Sequence, residues 1–187
     1  MLRLPAALLI VALAAPSVQA ADDVLDAIDQ ARKAYQSGDL GNAKQSLDLA
    51  SQLIGQKNAE SFAALLPAPL AGWKADKAQT ASVGNLAFGA STASRTYTNG
   101  KGDTVEVQIT GDSAMVAQFA TLLANPQIAG AMGKIVRVGS QRAVQGPDGD
   151  LNMVVANKYM IVISGSADAA AKLAYAQAVD VAKLSKI

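Results

Sequence analysis

Residues 109–119 read ITGDSAMVAQF and hold a Gly-Asp-Ser core of the kind that surrounds a nucleophilic serine in several hydrolase families. A serine attacks only when a base removes its proton and a third group orients that base. The chain has no histidine, which is the commonest base. The other common solution is a lysine three residues after the serine, and no serine here has one. Ser113 therefore reads as a helix start, where its own oxygen or that of Asp112 accepts a free backbone N–H of the first turn.

The other chemistry-bearing constellations fall to similar arguments. Asp148-Gly-Asp150-Leu-Asn152 matches the opening of a calcium loop. Met153 then stands where such a loop needs glycine for its sharp turn, and Tyr159 stands in place of the bidentate glutamate. A polar hairpin turn is expected there, with a weak surface cation site at Asp148 and Asp150 as its alternative. Met153 and Met160 fall in adjacent expected strands, so two thioethers could meet and hold Cu(I). Isolated methionines at buried spacing more often fill core gaps, and no Cys, His or Met-x-Met cluster supports copper. GAMGK at 130–134 has the Gly-Lys pair of a phosphate loop, but Ile128 and Ile135 occupy the positions that need Gly and Ser or Thr. Asp22, Asp23, Asp26 and Asp29 cluster on one expected helix and Asp148 and Asp150 in one turn. With few aromatic residues to wall a sugar cleft, these acids read as solvated charge. No catalytic residue, metal or cofactor is expected, and the chain does not read as an enzyme.

The elements that would position these groups begin after residue 20. Residues 1–20, MLRLPAALLIVALAAPSVQA, carry a positive start at Arg3, an uncharged apolar run, and small residues before a cleavage point after Ala20. This pattern predicts a secretory signal peptide. The run ends at Pro16 and is too short for a spanning helix, so the mature form is expected to be exported to a periplasm without an integral membrane span. The signal removes one base and no acid from the 16 basic and 15 acidic residues of the chain. A balance near zero, without a basic run, argues against nucleic acid as a partner. The absence of cysteine leaves stability in an oxidising compartment to packing alone.

Apolar residues at Val24, Leu25, Ile28, Ala31 and Tyr35 have helical spacing, as do Leu40, Ala43, Leu47, Ala50, Leu53 and Ile54. The first helix is expected over 22–36, and the second runs to about 65, where Pro67 and Pro69 stop it. A strand over 86–97 would put Ser94 and Thr96 on one face and Arg95 and Tyr97 on the other. TNGKGD is a hairpin signal. Residues 104–109 alternate as a strand. A helix over 113–124 would bury Met115, Val116, Phe119, Leu122 and Leu123 and end at Asn125-Pro126. Four strands follow at 134–138, 141–145, 151–156 and 159–164. A last helix is expected over 168–184, capped by Ser166 or Asp168. The order is helical hairpin, strands, helix, four strands, helix. It predicts an α+β fold with an antiparallel sheet covered by helices. The expected division is signal peptide 1–20, hairpin 21–66 and sandwich domain 67–187.

Two resemblances accompany this reading. YQSGDLGNAKQSLDLA resembles the middle of a tetratricopeptide repeat, with Gly-Asp at the turn and Ala43, Leu47 and Ala50 at its apolar positions. Only one copy is present, and a solenoid needs about three, so a single helical hairpin is expected. The element order resembles the α/β/α sandwich of Mog1 and PsbP proteins. Most of the mature chain is similar to small uncharacterised bacterial periplasmic proteins, in which a helical hairpin precedes segments like LPAPLAGW and ASRTYTNGKGDTVEVQITGDSAM. These motifs are structural and carry no catalytic residues. The expected function is that of a periplasmic accessory protein docking on another envelope protein through Tyr35, Gly38, Asp39 and Leu40. The alternative is a small-ligand carrier with an apolar pocket near Trp73, Tyr97 and Phe119.

Overall fold

The computed structural model describes residues 22–82, 90–111 and 113–187. The expected signal peptide with its cleavage point, the first residues of the strand expected from 86, and Asp112 lie outside the described residues.

Helix α1 (Asp23–Gln36) starts where the Asp22 carboxylate accepts the Val24 N–H at 3.1 Å. Asp23 and Asp26 in its first turn and Lys33 in its last complement the helix dipole. Gly38, at φ +81°, takes the left-handed conformation that a side chain disfavours, and it turns the chain back. Asp39 then caps α2 (Leu40–Leu65) by accepting the Asn42 N–H at 3.0 Å. The two helices pack antiparallel through Ala27, Ala31, Ala43 and Ala50, all buried.

The second half of α2 leaves the hairpin and closes on the sheet. Ala59, Phe62 and Leu66 are buried, and the Phe62 ring meets Tyr159 edge-on at 5.6 Å. Gly55 sits where any Cβ would strike the Ser82 hydroxyl, so its bareness lets the helix approach the sheet. The boundary expected at residue 66 therefore falls at the end of a helix shared by both parts.

Among the described residues, eight antiparallel strands form one sheet: β1 (Trp73–Ala75), β2 (Gln79–Ser82), β3 (Ser91–Asn99), β4 (Thr104–Gly111), β5 (Lys134–Val138), β6 (Gln141–Gln145), β7 (Leu151–Val155) and β8 (Tyr159–Ser164). The order is β1-β3-β4-β8-β7-β6-β5, with β2 also beside β3. Trp73–Ala75 pairs with Asn99–Tyr97 and Gln79–Ser82 with Ser94–Ser91. One extra residue lies between these registers, so β1 and β2 form a single edge strand broken by a bulge. Neither was expected from the sequence.

One face of the sheet is the core. Ala93, Tyr97, Val105, Val107, Ile109, Leu151, Met153, Ile161 and Ile163 all point into it and are wholly buried. The second half of α2, α5 (Ala169–Ala178) and α6 (Val181–Leu184) cover this face. Helices α3 (Ala114–Ala124) and α4 (Pro126–Met132) cover the other face at the β5–β7 end. There Leu123, Pro126 and Ala129 share a recess with Ile135 and Val144, which pair in register opposite to the core side. The result is an α+β fold: an N-terminal helical hairpin followed by an antiparallel sheet with helices.

Three expectations about the helices need correction. Asn125-Pro126 ends α3, but it also starts α4, because Asn125 accepts the Gln127 N–H at 3.0 Å and Pro126 needs no partner at the first helical position. Leu122, expected on the buried side of α3, is 44% exposed. The C-terminal helix breaks after Ala178, and Asp180 caps a separate last turn by accepting the Lys183 N–H at 3.0 Å. Among the described residues no helix is long and apolar enough to cross a membrane.

Candidate functional site

The hairpin is held together by alanines, and that decides what its larger residues do. An alanine interface is thin, so side chains flanking it are not drawn inside. Leu25, Ile28 and Tyr35 of α1 and Leu40, Leu47 and Ile54 of α2 are 60%, 42%, 69%, 65%, 57% and 45% exposed. Leu40, Leu47 and Ile54 are seven residues apart, as are Ile28 and Tyr35, so each set lies along one line of its helix.

The two lines share one side of the hairpin. On the opposite side, Gln30, Ala34, Asn42, Gln45, Ser46 and Leu49 line a groove between the helices. The other flanks of α1 and α2, counted from the buried alanines, carry Ile28 and Tyr35 together with Leu40, Leu47 and Ile54. At the margins of this face two ion pairs form within single helices: Asp29 with Arg32 at 3.0 Å, and Lys44 with Asp48 at 2.9 Å.

Of the four hairpin residues expected to meet a partner, Tyr35 and Leu40 present exposed side chains on this face. Gly38 and Asp39 build the turn instead. The Asn42 backbone N–H, then its side-chain amide, hold the Asp39 carboxyl below its ordinary range. Leu47 and Ile54 complete the face. Their helical spacing was legible in the sequence, but the same spacing serves a buried stripe equally well.

Trp73 and Tyr97 do come together, through Tyr175 of α5. The Tyr175 ring lies 5.3 Å from Trp73, edge-on, and 4.4 Å from Tyr97. Tyr97 is wholly buried and its hydroxyl donates to the Pro67 carbonyl at 2.6 Å. The Tyr175 hydroxyl accepts the Leu70 N–H at 3.2 Å. This cluster pins the Pro-rich junction to the sheet. Phe119 does not join it, since α3 packs on β7 from the other face.

The loop at Asp148 and Asp150 already holds a cation, and it belongs to the chain. The Lys172 ammonium, buried beneath α5, donates to the Asp150 carboxylate at 2.6 Å and to the Asp148 carbonyl at 2.7 Å. The calcium-like spacing is thus answered by a lysine. Sequence reading missed it because a lysine is expected to face water. The signal was its place on the stripe 172, 175, 176 and 179, which is the buried side of α5.

Met153 and Met160 cannot meet, which corrects the expectation that they could. Met153 pairs with Ile161 and Met160 with Val154, so the two side chains point to opposite faces of the sheet. Ser113 stands directly before α3, and its carbonyl accepts the Val116 N–H at 3.0 Å. Among the described residues no three His, Cys, Asp or Glu side chains are grouped to hold a metal ion. No family model, curated protein or solved structure matches the chain.

Proposed function

We propose that this is an exported, non-catalytic accessory protein of the bacterial periplasm that docks on another envelope protein through the apolar face of its helical hairpin. The observation that carries this reading is the row of large apolar side chains, Tyr35, Leu40 and Leu47 foremost, each more than half exposed. A soluble domain rarely leaves so much contiguous apolar surface in water unless something covers it. The partner chemistry that fits is an apolar helix or helix pair, because residues seven apart on neighbouring helices present ridges for helix packing. Export rests on the signal-like residues 1–20, and the non-catalytic reading on a chain without histidine or cysteine whose buried lysine is sealed by its own aspartate.

Photo-crosslinkers placed at Tyr35 and Leu40, with Thr98 on the sheet as control, test this in the intact envelope. One dominant partner captured from both hairpin positions and not from Thr98 supports the reading. Crosslinks only within the chain, or only between its copies, overturn it.

A further inference from the structure

The hairpin looks like half of an assembly. Two antiparallel helices with apolar residues at Leu40, Ala43, Leu47, Ala50 and Ile54 on one and Ile28, Ala31 and Tyr35 on the other follow the alternating three- and four-residue spacing of bundle seams. In a four-helix bundle such a stripe faces both its neighbour and the bundle centre. Here the small positions meet the neighbouring helix and are buried, while the large positions point toward a centre that the chain does not fill. Given ordinary side-chain areas, the five exposed residues Ile28, Tyr35, Leu40, Leu47 and Ile54 present on the order of 600 Å², the larger part of the ~800 Å² per partner of a stable interface.

We infer that, in the absence of its partner, the face is covered by a second copy of this chain, docked hairpin to hairpin as a four-helix bundle about a two-fold axis. This rests on the same reading of the hairpin as a docking surface and makes partner docking an exchange against a copy. The spacing on α2 selects the arrangement. Leu40, Leu47 and Ile54 stand seven residues apart, so stacking α2 antiparallel on α2 of the copy about a two-fold axis sets Leu47 on Leu47 near the axis and Leu40 on Ile54. No charge enters the centre, because the marginal pairs Asp29–Arg32 and Lys44–Asp48 stay at the rim. Each sheet then lies beyond the turn of the other hairpin.

Sedimentation equilibrium of the purified protein over a wide concentration range tests this, with circular dichroism to confirm that each variant is folded. A reversible monomer–dimer equilibrium is expected. Leu47→Glu, which sets two carboxylates face to face near the axis, should weaken it at least about thirtyfold. Leu49→Glu, on the polar side of the hairpin, should leave it unchanged. A protein that is monomeric throughout, or a dimer indifferent to Leu47→Glu, overturns the inference. A monomer whose hairpin still crosslinks to an envelope protein would overturn this inference alone and leave the proposed function standing. A dimer that Leu47→Glu breaks, in a protein that captures no envelope partner, would do the reverse.

Discussion

The Lys172–Asp150 pair allows an asymmetric test of how this fold tolerates a buried charge. The lysine side chain is 2% exposed and its aspartate 39%. Asp150→Asn leaves an ammonium sealed inside with two neutral acceptors. Removing one partner of a buried pair costs about 3–5 kcal/mol. Water reaches the aspartate side and screens the pair, which lowers the cost to about 2–3 kcal/mol. Lys172→Met instead leaves a carboxylate that solvent already touches and keeps the stem volume that fills the space beneath α5, so about 1 kcal/mol or less is expected. Urea unfolding of the three variants and the parent measures the difference. With a slope of roughly 2 kcal/mol/M, Asp150→Asn should lower the midpoint by more than about 1 M and Lys172→Met by about half that or less. The double variant should be more stable than Asp150→Asn alone, because it removes the orphaned charge. If Asp150→Asn proves no worse than Lys172→Met, or the double variant no better than Asp150→Asn, the buried-charge argument fails.

Other perturbations follow from single contacts. Burial pushes the Tyr97 hydroxyl up to about 12, above its ordinary value, so its stability contribution is complete below pH 10 and is lost as pH rises toward 12. Unfolding free energy should fall by about 1.4 kcal/mol per pH unit across that window, and Tyr97→Phe should flatten the decline in a urea titration. Gly55→Ala sets a methyl group against the Ser82 hydroxyl, which must swing aside; the helix propensity gained, about 1 kcal/mol, offsets part of that cost, so the net loss in thermal unfolding should be no more than about 2 kcal/mol. Ala156 holds a left-handed conformation at φ 52° in the β7–β8 turn, so Ala156→Asn should raise stability by a few tenths to about 1 kcal/mol. Asp168 caps α5 by accepting the Ala171 N–H at 2.8 Å, and Asp168→Ala should cost about 0.5–2 kcal/mol.

Much of the architecture was legible because its signals are local. Helical spacing and the stop at Pro67 located both hairpin helices within a residue, and the last four strands fell where the sequence placed them. The edge strand β1–β2 was not legible, since Trp73–Ala75 and Gln79–Ser82 are too short and too polar to alternate. What creates them is pairing with β3, a partner some twenty residues away. Asp168 rather than Ser166 caps α5 for a similar reason: the Ser166 hydroxyl is taken by the Thr104 N–H at 2.9 Å, from a distant strand. Lys172 and Asp150 follow the same pattern, with a pairing that becomes visible only once α5 lies over the β6–β7 turn.

The candidate site was half legible for a deeper reason. Helical periodicity says which residues share a face, but not what lies opposite. On α2 the apolar residues of 40–54 and those of 59–66 are separated by Gly55-Gln56-Lys57-Asn58, and they meet different fates. Ala59, Phe62 and Leu66 are buried against the sheet, whereas Leu40, Leu47 and Ile54 stand in water. The difference lies in the facing element: the sheet accepts Phe62 against Tyr159 and Gly111, whereas the buried positions between α1 and α2 are the small Ala27, Ala31, Ala43 and Ala50. A thin interface holds the hairpin weakly by itself, since each alanine buries little apolar area. The same thinness leaves the leucines and the tyrosine uncovered. The hairpin therefore gains more by acquiring a cover than a well-filled one would, and the sequence choice that weakens it alone also makes it receptive to a second surface.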